Sequence, residues 1–279
     1  NHDATRGTVT ALYEFLQQQK YQPIVEENVA DYIDDPKMKV TDLVSLGKCC
    51  DLVIVVGGDG NMLGAARVLS RYDVAVIGVN RGNLGFLTDL NPDDFAETLA
   101  EVLAGEYTTE LRFLLDVSVI RHDKLKANNS AMNEIVLHAD KVAHMIEFEA
   151  FIDGSFVFHQ RSDGIIISTP TGSTAYSLSG GGPIVHPNLN ALTLVPMFPH
   201  TLTSRPVVVN ADSEIKIIVS KANDAQLQIS CDSHIAISVM PGDELVIKKH
   251  DLPLRLVHPK KYDYYDVLRK KLHWGRQNY

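Results

Sequence analysis

The apolar residues of the first hundred positions follow two alternating patterns. Val9, Leu12 and Leu16 recur at helical spacing, and residues 62–73 and 93–104 show the same period. A short strand at 23–25 and two continuous apolar runs at 51–56 and 74–79 separate these helices, and the two runs are typical of strands buried on both faces of a parallel sheet. Helices alternating with buried strands predict a doubly wound, Rossmann-like α/β domain at the N-terminus.

From about residue 113 the period falls to two. Phe113, Leu115, Val117 and Val119 alternate with other residues, and residues 146–152 do the same. Further short strand-like runs follow at 164–167, 206–209, 215–219, 227–231, 235–239, 245–248 and 254–257. They predict a mostly antiparallel β domain over 113–259.

A terminal helix carries Tyr265, Leu268 and Leu272 on one face. That face needs a surface to cover it, and we expect the helix to pack back on the α/β domain. The first domain would then comprise residues 1–112 together with 260–279. Because the chain begins with Asn1 and a helix rather than with Met and a strand, we also expect further residues to precede it.

Composition and charge exclude several classes of partner. The 279 residues suggest two domains, and 26 basic against 35 acidic residues give a net charge of −9. An acidic chain disfavours binding to nucleic acid or to anionic lipid, so neither nucleic acid nor membrane is expected as a partner. The three cysteines, Cys49, Cys50 and Cys231, form neither a disulfide framework nor a zinc spacing, which indicates a reduced, cytoplasmic protein.

The first motif with chemistry lies between a predicted strand and a predicted helix, where Gly57, Gly58 and Gly60 surround Asp59. Ligands of doubly wound sheets bind at this edge, and the free N–H groups of such a turn suit phosphate. The motif is neither a P-loop nor a dinucleotide fingerprint. A carboxylate here would repel phosphate unless it binds a metal that carries the phosphates or accepts a proton from an attacking hydroxyl. The alternative is a tight turn in which Asp59 caps the helix.

The second motif spans residues 162–182. Five hydroxyl side chains fall within seven residues, namely Ser168, Thr169, Thr171, Ser173 and Thr174. Such groups hydrogen-bond ribose, amide and phosphate without adding charge. Ser173 or Thr174 is expected to cap a short helix at 175–179, whose N-terminus would be a second anion site. The alternative is a long structural turn between strands.

Together with the stretch 80–87 and the pair Asn133-Glu134, these motifs resemble those of NAD kinases, which use ATP to phosphorylate the 2′-hydroxyl of the adenosine ribose of NAD. The resemblance covers nearly the whole chain, and residues 145–148 and 195–201 look most like enterobacterial members. It implies a phosphofructokinase/diacylglycerol-kinase-like α/β domain, a β domain that binds NAD, and an active site between them. It also implies a homodimer or homotetramer that needs Mg²⁺ or another divalent metal with ATP.

The resemblance also implies roles for individual residues. Asp59 would be the catalytic proton acceptor, and Gly57, Gly58 and Gly60 would hold the ATP phosphates. Arg161 would approach the nicotinamide half of NAD, and His144 is either a ligand contact or a surface histidine. No side-chain metal cluster is expected, since Mg²⁺ would arrive with ATP near Asp59. The full set of implied NAD contacts is Asp59, Gly60, Asn133, Glu134, His144, Arg161, Asp163, Thr171, Thr174, Ala175, Tyr176, Ser177, Leu178, Ser179 and His234, the last at a position where glutamine is expected.

Two other functions stay open at this level. A lipid or sugar kinase could share the Gly-Gly-Asp-Gly turn, although a lipid substrate would call for an exposed apolar or basic docking segment that the sequence lacks. The second alternative is a non-catalytic module that senses NADP. A protein that only binds NADP would not need the carboxylate of Asp59 beside the glycines.

Overall fold

The computed structural model describes residues 2–81, 85–140 and 144–274. The chain forms two compact units: the first runs to Leu111 and resumes at Leu254, and the second is Arg112–Pro253. The part of the first unit that precedes the second contains four α-helices, five strands and one 3₁₀ helix within the described residues. In chain order they are α1 (His2–Gln18), β1 (Ile24–Glu26), the 3₁₀ helix Glu27–Tyr32, β2 (Lys39–Thr41), α2 (Leu43–Cys49), β3 (Leu52–Gly57), α3 (Asp59–Leu69), β4 (Ala75–Asn80), α4 (Phe95–Leu103) and β5 (Tyr107–Arg112).

The second unit is built almost entirely of strands. In chain order its elements are β6 (Leu115–Arg121), β7 (Lys124–Ala131), β8 (Glu134–Ala139), β9 (Ile146–Ile152), β10 (Ser155–Ser162), β11 (Gly164–Ser168), the 3₁₀ helix Thr171–Thr174, α5 (Tyr176–Ser179), β12 (Ala191–Met197), β13 (Val207–Asn210), β14 (Ile215–Val219), β15 (Leu227–Cys231), β16 (Ile235–Val239) and β17 (Glu244–Lys249). The chain then returns to the first unit with β18 (Leu254–Pro259) and α6 (Tyr264–Leu272).

The first unit has a four-stranded sheet in the order β3-β4-β18-β5. Strands β3 and β4 are parallel, and their register brings Gly57 opposite Asn80 at the carboxyl edge. Strand β18 is parallel to β4. Residues of α1, α4 and these strands form one apolar core, in which Phe15 and Phe95 meet edge to face at 5.8 Å. The predicted α/β architecture is confirmed.

Strand β18 corrects the predicted domain boundary. The sequence placed residues 254–257 in the β domain, but this strand lies in the sheet of the first unit. Five of its six residues are buried, which is the pattern of a strand covered on both faces rather than of an alternating antiparallel strand. Strand β1 also differs from expectation, because it pairs with β2 in a separate two-stranded sheet.

The second unit consists of two six-stranded sheets, in the orders β10-β9-β14-β17-β6-β7 and β13-β12-β11-β8-β15-β16. The two sheets contribute to one apolar core, with Phe148 from the first sheet and Ile165 from the second. Strand β11 is buried along its whole length, because Ile166 packs on the other face against Val136 and Val195. The strand pairs of the second unit within the described residues are antiparallel, as the sequence predicted.

No α-helix within the described ranges is long and apolar enough to cross a membrane.

Candidate active site

In the first unit, the glycine turn presents Asp59 at the start of α3. Gly58 occupies the N-cap position, and no side chain caps the helix. The Asp59 carboxylate instead accepts the backbone N–H of Phe86 at 2.9 Å and that of Leu87 at 3.1 Å. The alternative in which Asp59 caps its own helix is therefore wrong. Each carboxylate oxygen accepts one N–H and retains a lone pair for a ligand.

Gly85 makes this arrangement sterically possible. A Cβ at Gly85 would overlap Oδ1 of Asp59 and would lie 2.5 Å from Oγ1 of Thr88. The absence of a side chain lets the carboxylate lie against the backbone that binds it. The stretch 80–87, which carries part of the resemblance, thus contacts Asp59 directly, although its members Gly82, Asn83 and Leu84 lie outside the described residues.

The remaining glycines of the turn differ in their surroundings. A Cβ on Gly57 would lie 2.5 Å from Cγ of Asn61, so a larger residue would displace that side chain. The carbonyl of Gly57 accepts the N–H of Arg81 at 3.1 Å, which ties the turn to the end of β4. Gly58 has no other atom within 4 Å of a Cβ position, and Gly60 is exposed. The turn therefore presents open backbone at the N-terminus of an 11-residue helix, where a phosphate is favoured.

In the second unit, Glu134 is a buried carboxyl group at the start of β8, opposite Ser168 at the end of β11. Burial, and secondly the negative charge of Asp232, raise the pKa of Glu134 to about 8, although the backbone N–H of Tyr176 donates to the carboxylate and lowers it. The Oε2 atom of Glu134 has no hydrogen-bond partner among the described residues. Such an orphaned buried acceptor marks a place where a ligand hydroxyl could bind.

Asp232 holds the backbone at Asn133 and Glu134 in place, a role that was not predicted from the sequence. Its carboxylate accepts the N–H groups of Met132 at 3.0 Å, Asn133 at 2.7 Å and Glu134 at 3.3 Å. Asp232 opens the turn between β15 and β16 and has a φ of +50°. The sequence shows an aspartate in a hairpin turn just before His234. Nothing in the neighbouring residues indicates that its carboxylate binds a segment 100 residues earlier in the chain.

The hydroxyl-rich run is directed mainly at the protein itself. Thr169 donates to the carbonyl of Met132 at 2.7 Å, and Ser173 donates to that of Pro170 at 2.6 Å. Ser168 and Thr171 are buried as well; Ser168 donates to the carbonyl of Thr169, and Oγ1 of Thr171 accepts from Arg112. Thr174 donates to the carbonyl of Thr171 at 3.4 Å. The expectation that the run is directed at a ligand is therefore corrected: all five hydroxyls have a hydrogen-bond partner within the protein.

The predicted cap of the short helix is also wrong. Residues Thr171–Thr174 form a 3₁₀ helix, and α5 begins at Tyr176 after Ala175, with no side-chain cap from Ser173 or Thr174. The N–H of Tyr176 is directed at the Glu134 carboxylate. The start of this four-residue helix therefore faces a carboxyl group of the protein, Glu134. The side chains of Thr174, Tyr176 and Ser179 remain accessible, whereas Ser177 is buried.

Strand β11 separates the predicted NAD contacts of the second unit into two groups. Asn133, Glu134 and the residues of α5 lie near its Ser168 end, and the N–H of Asp232, two residues before His234, binds the carbonyl of Glu134 there. Asp163 precedes the opposite end, Arg161 pairs with Glu147 in β9, and His144 is exposed just before β9. The two ends of this five-residue strand are about 13 Å apart. The structure does not bring these two groups together.

No group of three or more His, Cys, Asp or Glu side chains within residues 2–81, 85–140 and 144–274 has the geometry to hold a metal ion.

Comparison with known proteins decides the family. A profile of the ATP-NAD kinase N-terminal domain matches residues 4–107, and one of the C-terminal domain matches residues 132–259. NAD kinases of Pseudoalteromonas translucida and Colwellia psychrerythraea are 64% and 58% identical to this chain; each match covers all of the chain and 95% of the relative. The chain belongs to the NAD kinase family. Membership confirms the predicted activity, ATP-dependent phosphorylation of NAD, over the lipid or sugar kinase and the sensing module.

Solved structures of NAD kinases share the fold. The crystal structure of yeast NADH kinase complexed with NADH has a TM-score of 0.87 at 26% identity, covering 98% of this chain and 84% of that one. The NAD kinase from Archaeoglobus fulgidus in complex with ATP has a TM-score of 0.73 at 27% identity, covering 96% of each chain. These similarities confirm the predicted combination of an α/β unit and an antiparallel β unit.

Proposed function

We propose that this NAD kinase transfers the γ-phosphate of ATP to the 2′-hydroxyl of the adenosine ribose of NAD, and that Asp59 accepts the hydroxyl proton. The observation that carries the proposal is the orientation of Asp59. Two backbone N–H groups hold its carboxylate in place, and it caps no helix. A carboxylate beside a turn that favours phosphate repels the phosphate. Its fixed position there is explained if it accepts the proton of the attacking hydroxyl.

The proposed reaction is an in-line displacement. The 2′-oxygen of the ribose forms a bond to the γ-phosphorus, and the bond from that phosphorus to the β,γ-bridging oxygen breaks, so that ADP leaves. The proton of the hydroxyl passes to a free lone pair of Asp59. Open backbone at Gly57, Gly58 and Gly60 would hold the phosphates, and the N-terminus of α3 would favour their charge.

Asn133 and Glu134 are proposed to bind the ribose of NAD. Oε2 of Glu134 lacks a partner among the described residues, and a ribose hydroxyl is a donor that would supply one. The accessible Thr174, Tyr176 and Ser179 would contact the same half of the dinucleotide, together with Ala175, Leu178 and His234. Arg161, Asp163 and His144 lie toward the other end of β11, which supports assigning them to the nicotinamide half.

We also propose that a divalent metal, Mg²⁺ or another, accompanies ATP. The residues fit a metal carried by the substrate: Mg²⁺ keeps several waters and commonly binds through one or two carboxylates and the substrate phosphates. Asp59 is the carboxylate of this chain that lies at the phosphate-favouring turn. When bound, the metal would offset the charge of the phosphates during transfer.

The remaining expectations concern assembly and location. We propose a homodimer or homotetramer, supported by the exposed Phe156 on β10, an edge strand whose open backbone could pair with another copy. Free cysteines, including the adjacent Cys49 and Cys50, support a reducing, cytoplasmic location. Light scattering of the purified protein measures the assembly directly.

Incubation with NAD, ATP and Mg²⁺ tests the proposed function, with NADP detected through a dehydrogenase specific for NADP. The proposal predicts NADP formation that needs all three components, and no phosphorylation of diacylglycerol or of glucose supplied in place of NAD. Binding of NAD without formation of NADP would instead support a sensing module, and transfer to the lipid or the sugar would support another kinase.

A further inference from the structure

The last part of the first unit contacts the segment that holds Asp59. This carboxylate-binding segment comprises residues 85–90, after β4, and its Phe86 and Leu87 donate their N–H groups to the Asp59 carboxylate. One residue of β18 and one of α6, both from the C-terminal part of the chain, lie against the same segment. Neither of these residues was given a role from the sequence.

Backbone hydrogen bonds fix one end of the carboxylate-binding segment to β4. Asp89 and Leu90 donate their N–H groups to the carbonyl of Gly78, at 3.1 Å and 3.0 Å, and Asn80 donates to the carbonyl of Leu90 at 2.8 Å. Leu87 lies two residues before Asp89. A displacement of Asp89 is therefore transmitted to the N–H groups that bind the catalytic carboxylate.

The side chain of Asp89 is held by His258 of β18. Nδ1 of His258 lies 2.5 Å from Oδ2 of Asp89, and Nε2 lies 3.0 Å from Oε2 of Glu110 on β5. An ionised carboxylate only accepts hydrogen bonds, so both ring nitrogens donate and the ring is an imidazolium. The ring of Tyr262 stacks on it with 4.0 Å between the centroids, which fixes its orientation.

Burial makes this contact strong. His258 is 2% exposed, and the side chains of Asp89 and Glu110 are 10% and 14% exposed. Because little water reaches these groups, their charge-assisted hydrogen bonds are weakly screened. Removal of the imidazolium would leave two carboxylates close together in a buried place, and they would repel each other. The ring therefore holds Asp89 in one position against β18.

Lys271 of α6 makes a second contact with the carboxylate-binding segment. Its Nζ lies 5.4 Å from the centre of the Phe86 ring, which is within the range of a cation–π interaction. Phe86 is itself one of the two N–H donors to Asp59. The terminal helix thus contacts a residue that binds the catalytic carboxylate.

We propose that His258 is a positioning residue for Asp59, acting through Asp89 and the carboxylate-binding segment, and that Lys271 supports the same segment from α6. The two residues keep the Asp59 carboxylate in the orientation in which it accepts the proton of the 2′-hydroxyl, and neither is assigned a contact with a substrate. The inference rests on the proposed function, because this orientation affects turnover only through the proton transfer to Asp59.

Substitution of His258 should lower kcat and leave substrate binding unchanged. In His258→Gln we expect kcat to fall by about 10-fold, because small displacements of a catalytic group are costly. The KM values for ATP and NAD should stay within about twofold, since the interaction lost is one that acts on the transition state. Asp89→Asn retains the imidazole and nearly the same shape, and it should also lower kcat at unchanged KM.

His250→Gln is the matched control. The imidazole of His250 also binds a carboxylate, that of Asp116 at 2.8 Å, but this pair lies in the second unit and not at the carboxylate-binding segment. The variant should lower Tm and leave kcat within about twofold of the wild-type value. Lys271→Gln should lower kcat by about two- to fivefold, the worth of a partly exposed cation–π contact. Lys270→Gln, an exposed neighbour on the same helix, should leave kcat unchanged.

Combination with Asp59→Asn tests whether His258 acts through Asp59. In the Asp59→Asn background, His258→Gln should lower the remaining rate by less than about twofold, because residues that act as a unit are not additive. A further 10-fold loss in that background, or an unchanged kcat in His258→Gln alone, would overturn the inference. A wild-type rate in Asp59→Asn alone would instead count against the proposed function.

Discussion

The carboxylate of Asp232 accepts the backbone N–H of Asn133 at 2.7 Å, joining the turn after β15 to the start of β8. The same carboxylate binds the N–H groups of Met132 and Glu134. In Asp232→Asn one acceptor oxygen becomes an N–H₂ group, so at least one of these donors loses its partner. We expect a loss of about 1–3 kcal/mol in the free energy of unfolding and a KM for NAD that rises more than kcat falls. Urea unfolding and steady-state kinetics measure both.

Asp224→Asn is the control for that substitution, because Asp224 is exposed in the same unit. It should leave stability and kinetics at wild-type values. If Asp232→Asn lowers kcat alone and leaves the KM for NAD unchanged, Asp232 does not position the NAD-binding backbone.

The raised pKa of Glu134 predicts a pH dependence of NAD binding. Burial first, and the charge of Asp232 second, raise this pKa to about 8, so the group is protonated in the free protein at neutral pH. Above that value the carboxylate accepts ribose hydroxyls more strongly. The KM for NAD should therefore fall as the pH rises through about 8, and Glu134→Gln should remove this dependence. Persistence of the same pH profile in the glutamine variant would assign the titration to another group.

The same shift has a consequence for stability. Between its ordinary pKa of 4.5 and about 8, Glu134 binds more proton in the folded than in the unfolded state. Stability must then fall as the pH rises through this window. Urea unfolding of wild type and Glu134→Gln at pH 5 and pH 8.5 should show a steeper decline for the wild type. Parallel declines in the two proteins would contradict the shift.

Gly85 predicts a steric requirement at the catalytic carboxylate. In Gly85→Ala the new Cβ would overlap Oδ1 of Asp59 and crowd Thr88. We expect kcat to fall by at least about 10-fold, because small displacements of a catalytic group are costly. Gly64→Ala is the matched control: it lies in α3 with nothing within 4 Å of a Cβ, and alanine there should stabilise the helix by about 0.5–1 kcal/mol. Equal kcat values in the two variants would remove the steric argument.

His258 also predicts a stability that falls as the pH rises, but here the protonated form is stabilised by two ion pairs. Burial alone would lower the pKa of His258, but its hydrogen bonds to Asp89 and Glu110 outweigh burial and raise the pKa. Their contribution is fully present below about pH 6.5 and is lost as the pH rises through the raised pKa. Calorimetry should therefore show a larger drop in Tm for His258→Gln at pH 6 than at pH 9. An equal drop at both values would show that the imidazolium does not stabilise the fold.

The sequence predicted those strands and helices whose buried residues form a clear apolar pattern. Strands β3 and β4 were found because their apolar runs are continuous. Strand β7 was missed because it is an edge strand with mostly polar residues. Strand β18 was found but assigned to the wrong unit, since a short apolar strand does not show which sheet it joins.

The site was predictable where its chemistry is local. The glycines around Asp59 indicated a phosphate-binding turn without help from the rest of the chain. The hydrogen bonds that Phe86 and Leu87 donate to Asp59, and that Asn133 donates to Asp232, join residues 27 to 99 positions apart and depend on the folded sheets. The sequence also does not show which way a side chain points. For this reason the buried hydroxyls of Ser168 and Thr169 were expected at the ligand.

The single-turnover rate of Asp59→Asn with ATP, Mg²⁺ and NAD tests the central claim most directly. The amide places an N–H₂ group against one of the N–H donors of Phe86 or Leu87, so Tm and the Kd for NAD are measured alongside. We predict that the rate of NADP formation falls by about 10²–10⁴, with the Kd for NAD unchanged within about threefold. A rate near that of the wild type would show that Asp59 does not take the proton of the 2′-hydroxyl.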